Sequence, residues 1–441
     1  QYGRVNMKVV DALKKRDFPL EEGDLILADG RYEVISKLIE KTVSKKQGRT
    51  SFTEVVDSVL LHKYLGIPIF FAMMWALFEF TFVASVPFMD AIDIFFGYLN
   101  EVAQSSISNE ILASLVGDGI IGGVGFLAVF VPVFAFLYMG LSILEDTGYM
   151  ARAAFLMDKS LTKIGLQGKS FIPMLMGFGC NMPAIMACRT IESEKDRFVT
   201  ILVNPLMSCG ARLPVYVLFA GIFFEEMAGS VIFSIYLLGI VLAIVMAMIF
   251  KNTIFRGEPS PFIMELPPYR APRVTETVIH VWQRVKVYLK KVSGILLVGA
   301  IAIWALLNLP YGAEIEFTYA GMIGKAIEPL IKPLGFDWRI GVSLIFGFLA
   351  KELVVSGLSV IYAVEEGAGL ENIIQTTMTP LTSIAIMVFS LIYTPCLAAV
   401  GVIKREMNSW KWALFSIAYL VALAYIVTGI VILIGRLIGY A

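Results

Sequence analysis

Three cysteines stand where apolar runs are interrupted. Cys180 lies in "GFGCNMPAI", Cys209 in "NPLMSCGARLPVY" and Cys396 in "YTPCLAAVG". Thiolates are soft or borderline ligands that suit Fe(II), Cu(I) or Zn(II) and not Mg(II) or Ca(II). A single buried cysteine is commonly a small apolar packing residue, so the chemistry rests on all three occurring at breaks. Their neighbours Asn181, Met182, Met207, Ser208 and Pro395 are the accompanying pathway candidates, while Cys188 reads as packing. A fourth run, "FGFLAKELVV", carries Lys351 and Glu352 at its centre. Each costs about 2.5 to 3.5 kcal/mol at the middle of a bilayer, so each is expected to face a cavity or a partner. Glu352 reads as a carboxylate ligand or gate with Lys351 as its counter-charge; the alternative is a structural ion pair. Arg212 is either structural or a cavity charge, and Asn204 satisfies a broken backbone.

Several function classes are excluded. Gly168-Lys169-Ser170 imitates a phosphate-binding loop, but Lys163 stands where the first glycine of that motif belongs, so the triplet reads as a basic turn. The two histidines are too few for a His-rich metal site, and a net charge of zero gives nucleic acid no foothold. The 20 methionines scatter through the apolar runs and read as packing. Glu145 and Asp146 end an apolar run, where acids attract a cation or are simply solvated; Glu79 has no assigned partner.

The elements that must position these residues follow from hydropathy. Of the 441 residues, 58% are hydrophobic and 16% charged, the balance of a polytopic membrane chain. Windows of about 20 apolar residues occur near 64–88, 119–144, 198–224, 229–250, 292–309, 379–403 and 411–436. Two further stretches, near 170–188 and 340–360, are broken or charged at their centres. Residues 89–118 hold acids and no Lys or Arg, whereas Lys and Arg crowd both flanks of the first broken stretch and the 251–291 segment. The positive-inside rule then makes both broken stretches re-entrant, one from each side. The expected fold is an all-α polytopic membrane protein of about seven transmembrane helices plus two oppositely oriented re-entrant hairpins. Aligned without gaps, the hairpins match Gly165 with Gly335 and Gly177 with Gly347, an inverted-repeat pattern with its site near the midplane. The expected organisation is a cytoplasmic helical linker over 1–62, the tail of a soluble domain lying before it; a first membrane half over 63–250; a cytoplasmic connector over 251–291; and a second half over 292–441.

In order and spacing, "EDTGYMARAAFLMDK", the cysteine motifs, "FGFLAKELVV" and the connector's "PPYRAPR" resemble the membrane domain of the ferrous-iron transporter B family (FeoB) from about residue 50 onward. The resemblance implies uptake of Fe(II) across a prokaryotic cytoplasmic membrane, with the N-terminus cytoplasmic, through gate-type repeats shared with nucleoside transporters. It carries a metal role to Cys180, Cys209 and Cys396; Glu352 is added from its cost in lipid. It also implies an N-terminal GTPase domain, which would hold GTP and Mg and acts in cis or in trans. That domain is not among these residues. Small cytoplasmic Feo accessory proteins and a homo-oligomer are further implied partners. Carriage of another divalent metal or of a nucleoside is the neighbouring alternative. An intramembrane thiol enzyme is the distant one, and it lacks a base beside its nucleophile.

Overall fold

The computed structural model describes residues 30–39, 52–62, 65–163, 165–256, 268–362 and 368–439. Most of the N-terminal segment read as a linker, and residues 257–267 of the connector, lie outside the described residues. The chain divides into two compact units, residues 1–56 and 57–441. In the first, residues 30–39 form helix α1. The second begins within α2 (Phe52–Leu60) and continues as α3 (Gly66–Ser106), α4 (Glu110–Ser114), α5 (Gly122–Asp146) and α6 (Tyr149–Lys163). No strand occurs among the described residues, and the chain is an all-α polytopic membrane protein.

Among the described residues, five apolar stretches are long enough to cross a bilayer: Gly66–Ser106, Glu110–Asp146, Glu194–Thr253, Pro380–Glu406 and Trp410–Ile438. The third, 60 residues long, contains two of the expected spans. The span expected at 292–309 is the end of a longer helix, α12 (Val274–Asn308). So the second half of the expected connector is helical and continues straight into the apolar segment. The acidic stretch after the first span is likewise helical, because α3 runs on for 41 residues. At 1.5 Å per residue it measures about 60 Å, twice a hydrocarbon core. Its buried residues Phe70, Met74, Leu77, Thr81 and Ser85 recur at three- and four-residue steps, a single stripe turned to the protein. Between α4 and α5, residues Leu115–Ile121 widen into a π-helical turn.

Four helices break, and the breaks carry the chemistry. The first broken stretch folds as α7 (Phe171–Gly179) and α8 (Asn181–Ala187). After it come α9 (Glu194–Val203), an unwound segment, α10 (Leu213–Phe224) and α11 (Ala228–Thr253). Beyond α12 and α13 (Tyr319–Ile331), the second broken stretch folds as α14 (Trp338–Leu349) and α15 (Leu353–Tyr362). Helix α16 (Ala368–Thr377) leads to α17 (Pro380–Ile392), a second unwound segment, α18 (Leu397–Glu406) and α19 (Trp410–Ile438).

The weak sequence match between the two broken stretches is a match of backbone. Gly165 and Gly335, equivalent in the alignment, both take positive φ, +82° and +73°, where a side chain would be strained. Cys180 and Ala350, also equivalent, break their helices with nearly the same dihedrals: φ −153°, ψ 128° and φ −147°, ψ 132°. Gly177 and Gly347 are points of close approach to the unwound segments. A Cβ on Gly177 would lie 2.8 Å from the Asn204 Oδ1 and Met207 Cβ atoms, and one on Gly347 would lie 2.3 Å from Tyr393 Oη and Val354 Cγ2. Gly347→Ala is therefore expected to cost about 1 to 3 kcal/mol through overpacking. Gly401→Ala, with nothing within 4 Å of the added Cβ, should be neutral or slightly stabilising. Thermal unfolding of the two variants in detergent checks this, and equal midpoints would contradict the packing.

Candidate functional site

Breaking a helix frees backbone groups that lipid cannot satisfy, at several kcal/mol each. Side chains of the broken elements take up some of them and bond the pieces to one another. Asn204 Nδ2 donates to the Pro173 carbonyl at 2.9 Å, tying the unwound segment before α10 to α7. With its amide turned to donate, Asn181 reaches the carbonyls of Gly177 at 3.0 Å and Asn204 at 3.3 Å. Ser343 Oγ donates to the Val354 carbonyl at 2.5 Å, closing α14 on α15. Arg212, fully buried, donates to the carbonyls of Pro205 at 3.1 Å and Met207 at 3.3 Å. The expectation that Asn204 satisfies a broken backbone thus holds. Arg212 belongs with it as a clamp on the segment that carries Cys209.

Each of the three cysteines occupies the residue just before a half-helix. Cys180 precedes α8, Cys396 precedes α18, and Cys209 precedes the short turn Gly210–Arg212 that opens α10. Such positions stand beside the free N–H groups of a helix start. The breaks converge. Cys180 is within electrostatic reach of Cys396, Cys209 and Glu352, and Cys396 of Cys209, Glu352 and Lys351. Packing agrees: Met182 touches Cys180 together with Ala398 and Val402 of α18. A Cβ on Gly210 would lie 3.7 Å from the Gly179 carbonyl. All four cysteines are free; Cys180 and Cys396 are partly exposed, Cys188 and Cys209 buried.

The remaining predicted residues divide by role. Ser208 Oγ and Tyr216 Oη share a 2.9 Å hydrogen bond beside Cys209. Met207 joins the main core, Asn181 serves the backbone, and Pro395 is buried in the second unwound segment, to which it brings no N–H. Among the described residues no three His, Cys, Asp or Glu side chains stand close enough to hold one ion together. The thiols therefore line a shared region without forming a closed cage. Lys351 and Glu352 are within electrostatic reach of each other without direct contact. No ion pair joins them, and Lys351 Nζ sits 3.2 Å from the centroid of the Tyr393 ring. Sequence reasoning passed over Tyr393, although an aromatic directly before a Thr-Pro-Cys break was the available signal. Gly168-Lys169-Ser170 is a short turn whose Gly168 N–H donates to Asp158 Oδ1 at 2.9 Å, and Lys169 pairs with Glu192, as a basic turn should.

A second polar cluster lies outside the apolar segments and was not legible in the sequence. Arg152 of α6 is buried and bidentate on Asp57 of α2, at 2.5 and 3.2 Å, and also donates to the Gly148 carbonyl. Tyr269 of the connector donates to Asp57 Oδ1 at 2.8 Å, and the Arg152 guanidinium stacks 3.8 Å from its ring centroid. Three segments 95 and 212 residues apart in sequence are thereby pinned to one carboxylate.

These features define a multi-pass α-helical membrane protein built from two repeats, each pairing a broken hairpin with a broken span. Residues 127–223 and 289–410 match the family model Gate, described as nucleoside recognition, and residues 232–284 match that of the ferrous iron transport protein B C terminus. The chain is 45% identical to the Fe(2+) transporter FeoB of Methanocaldococcus jannaschii over 95% of its length and 64% of that protein's. It is 41% identical to the Fe(2+) transporter FeoB of Campylobacter jejuni over 92% of its own length and 69% of the relative's. A further relative, 41% identical over 96% of this chain and 58% of its own length, is the Fe(2+) transport protein A/Fe(2+) transporter FeoB fusion protein of Porphyromonas gingivalis. No solved structure matches. The chain belongs to the ferrous-iron transporter B (FeoB) family, and it spans about two thirds of the length of these relatives.

The Arg152 hydrogen bond holds the Asp57 carboxyl below the usual aspartate range. A depressed folded-state pKa contributes stability that is complete above the unfolded value of about 3.9 and lost as pH falls through the folded value. Contacts of α2 should therefore be independent of pH near neutrality. Arg152→Gln should loosen them by about 2 kcal/mol, read as faster amide hydrogen exchange across 52–60. Unchanged exchange would show that the cluster holds nothing.

Proposed function

We propose that these residues form the permease of a ferrous-iron uptake protein, in which Fe(II) crosses the bilayer between the two repeats. The observation that carries this reading is the convergence of Cys180, Cys209, Cys396 and Glu352 on four helix breaks. Thiolate and carboxylate are suitable partners for a borderline divalent ion. An open arrangement suits transport, because a site that coordinates an ion too completely does not release it. The names of the relatives point to the same cargo.

In this reading the protein lies in a prokaryotic cytoplasmic membrane with its N-terminus and its Lys- and Arg-rich segments in the cytoplasm. The two hairpins enter from opposite faces, so that their tips meet near the midplane. Thiols from both repeats, with Glu352, replace part of the ion's water shell, beside Met182 and Ser208. The protein is a transporter and not an enzyme in these residues. Any GTP and Mg chemistry belongs to a domain outside them, whose movement the Asp57–Arg152–Tyr269 cluster is positioned to pass on. The fused transport protein A of the Porphyromonas relative supports a small accessory partner on the same side. The Gate description favours a nucleoside carrier as the second reading.

Uptake of radioactive Fe(II) into reducing proteoliposomes tests the proposal. Cys209→Ser and Cys396→Ser should each lower the rate by about tenfold or more, and Cys188→Ser, away from the breaks, should keep it. Full Fe(II) uptake by both site variants, or uptake of labelled uridine in place of iron, would reject it.

A further inference from the structure

Cys180 and Cys396 each stand at the start of a half-helix, and the two half-helices lie together. Helix α8 packs against α18, with Met182 of the one seated on Ala398 and Val402 of the other. Their far ends are joined as well. Arg189, two residues beyond α8, lays its guanidinium across the carboxylate of Glu406, the last residue of α18: Nε donates to Oε2 at 2.6 Å and Nη2 to Oε1 at 2.5 Å. The partners lie 217 residues apart, one in each repeat. A forked pair of this kind is the strong form of the interaction. Because the Glu406 side chain is only 7% exposed, this is not one of the fully solvated pairs that hold little.

The sign of Glu406 is informative. The C-terminal end of a helix favours cations, and Lys404 and Arg405 obey this in the same turn. A carboxylate there works against the dipole, so the partner across the seam accounts for its place. Both half-helices are also jointed at each end. Helix α8 lies between the extended Cys180 and the non-helical residues 191–193, and α18 between the unwound residues 393–396 and a turn at Asn408, whose φ is +46°. Open space flanks α18 at Gly401, where an added Cβ would meet nothing within 4 Å.

Resting on the metal-transport reading, we propose that Arg189 and Glu406 are positioning residues for release of the ion: their pairing clasps α8 to α18, and the seam between these half-helices is the way out of the site toward the Lys- and Arg-rich face. While the clasp is closed, Met182 fills the seam and the thiols of Cys180 and Cys396 are shut off from that face. When it opens, the half-helices swing on their joints, in the manner of a hinge that bends at a few residues between rigid elements. The pair suits this duty, because water reaches the half-exposed Arg189 and competes for it once the fork loosens.

The test is the reaction of Cys180 and Cys396 with a charged maleimide that does not cross membranes. It is applied separately to the two faces of oriented vesicles holding the full chain and read residue by residue by mass spectrometry, with Fe(II) uptake measured in the same preparation. The unaltered protein should react slowly from the Lys- and Arg-rich face. Arg189→Gln and Glu406→Gln should each react about tenfold or more faster from that face and at an unchanged rate from the other. The exchanged protein, Arg189→Glu with Glu406→Arg, should return to slow reaction. Elution as a single species in detergent establishes that each variant is folded. Folded single variants whose thiols react no faster, or equally faster from both faces as a general loosening would cause, overturn the proposal. If access opens as expected while the unaltered protein carries no iron, the clasp stands and the iron reading falls. If iron is carried and access does not change, the clasp falls alone.

Discussion

Lipid offers nothing to a freed amide or carbonyl, and this single constraint arranges most of the molecule. A helix interrupted at membrane depth survives only if other protein takes up its loose ends. Here the interrupted helices supply one another: Asn204 serves α7, Asn181 serves both α7 and the segment before α10, and Ser343 serves α15. Because the breaks must be in contact to do this, whatever side chains stand at the breaks are gathered too. The segments that carry Cys180 and Cys209 are joined in this way.

The electrostatics of that region follow from the same arrangement. Two basic side chains, Lys351 and Arg212, and one carboxylate, Glu352, lie among the three sulfurs. Arg212 is spent on carbonyls, so its charge belongs to the scaffold. Lys351 rests on the face of the Tyr393 ring. Outside the apolar core a different arrangement holds Asp57, Arg152 and Tyr269, where bidentate bonding and stacking make a rigid joint between a helix, its neighbour and the connector.

Much of this was written locally and therefore legible. Gly165, Gly177, Gly335 and Gly347 stood out as matched glycines, and the structure gives each pair a physical duty, a left-handed turn or a close approach. The runs in which Cys180, Cys209 and Cys396 occur with glycine or proline nearby are where the helices break. Lengths were less legible. Polar residues after the first span and before the α12 apolar segment ended those windows on hydropathy, yet helix continues through both because a helix outside the hydrocarbon core needs no apolar composition. Pairings across the chain were least legible. Lys351 and Glu352 stood out as adjacent charges in an apolar run, but only the folded chain brings Tyr393 beneath the Lys351 side chain. The contact of Asp57 with Arg152 and Tyr269 has no local signal at all.

The central claim is that sulfur from the helix breaks meets the transported ion. X-ray absorption at the iron edge, on the full chain loaded with Fe(II) under reducing conditions and frozen, reads the ion's neighbours directly. The account predicts a sulfur shell at about 2.3 Å, the length of a metal–thiolate bond. A shell made only of oxygen and nitrogen at about 2.0 to 2.2 Å would contradict it.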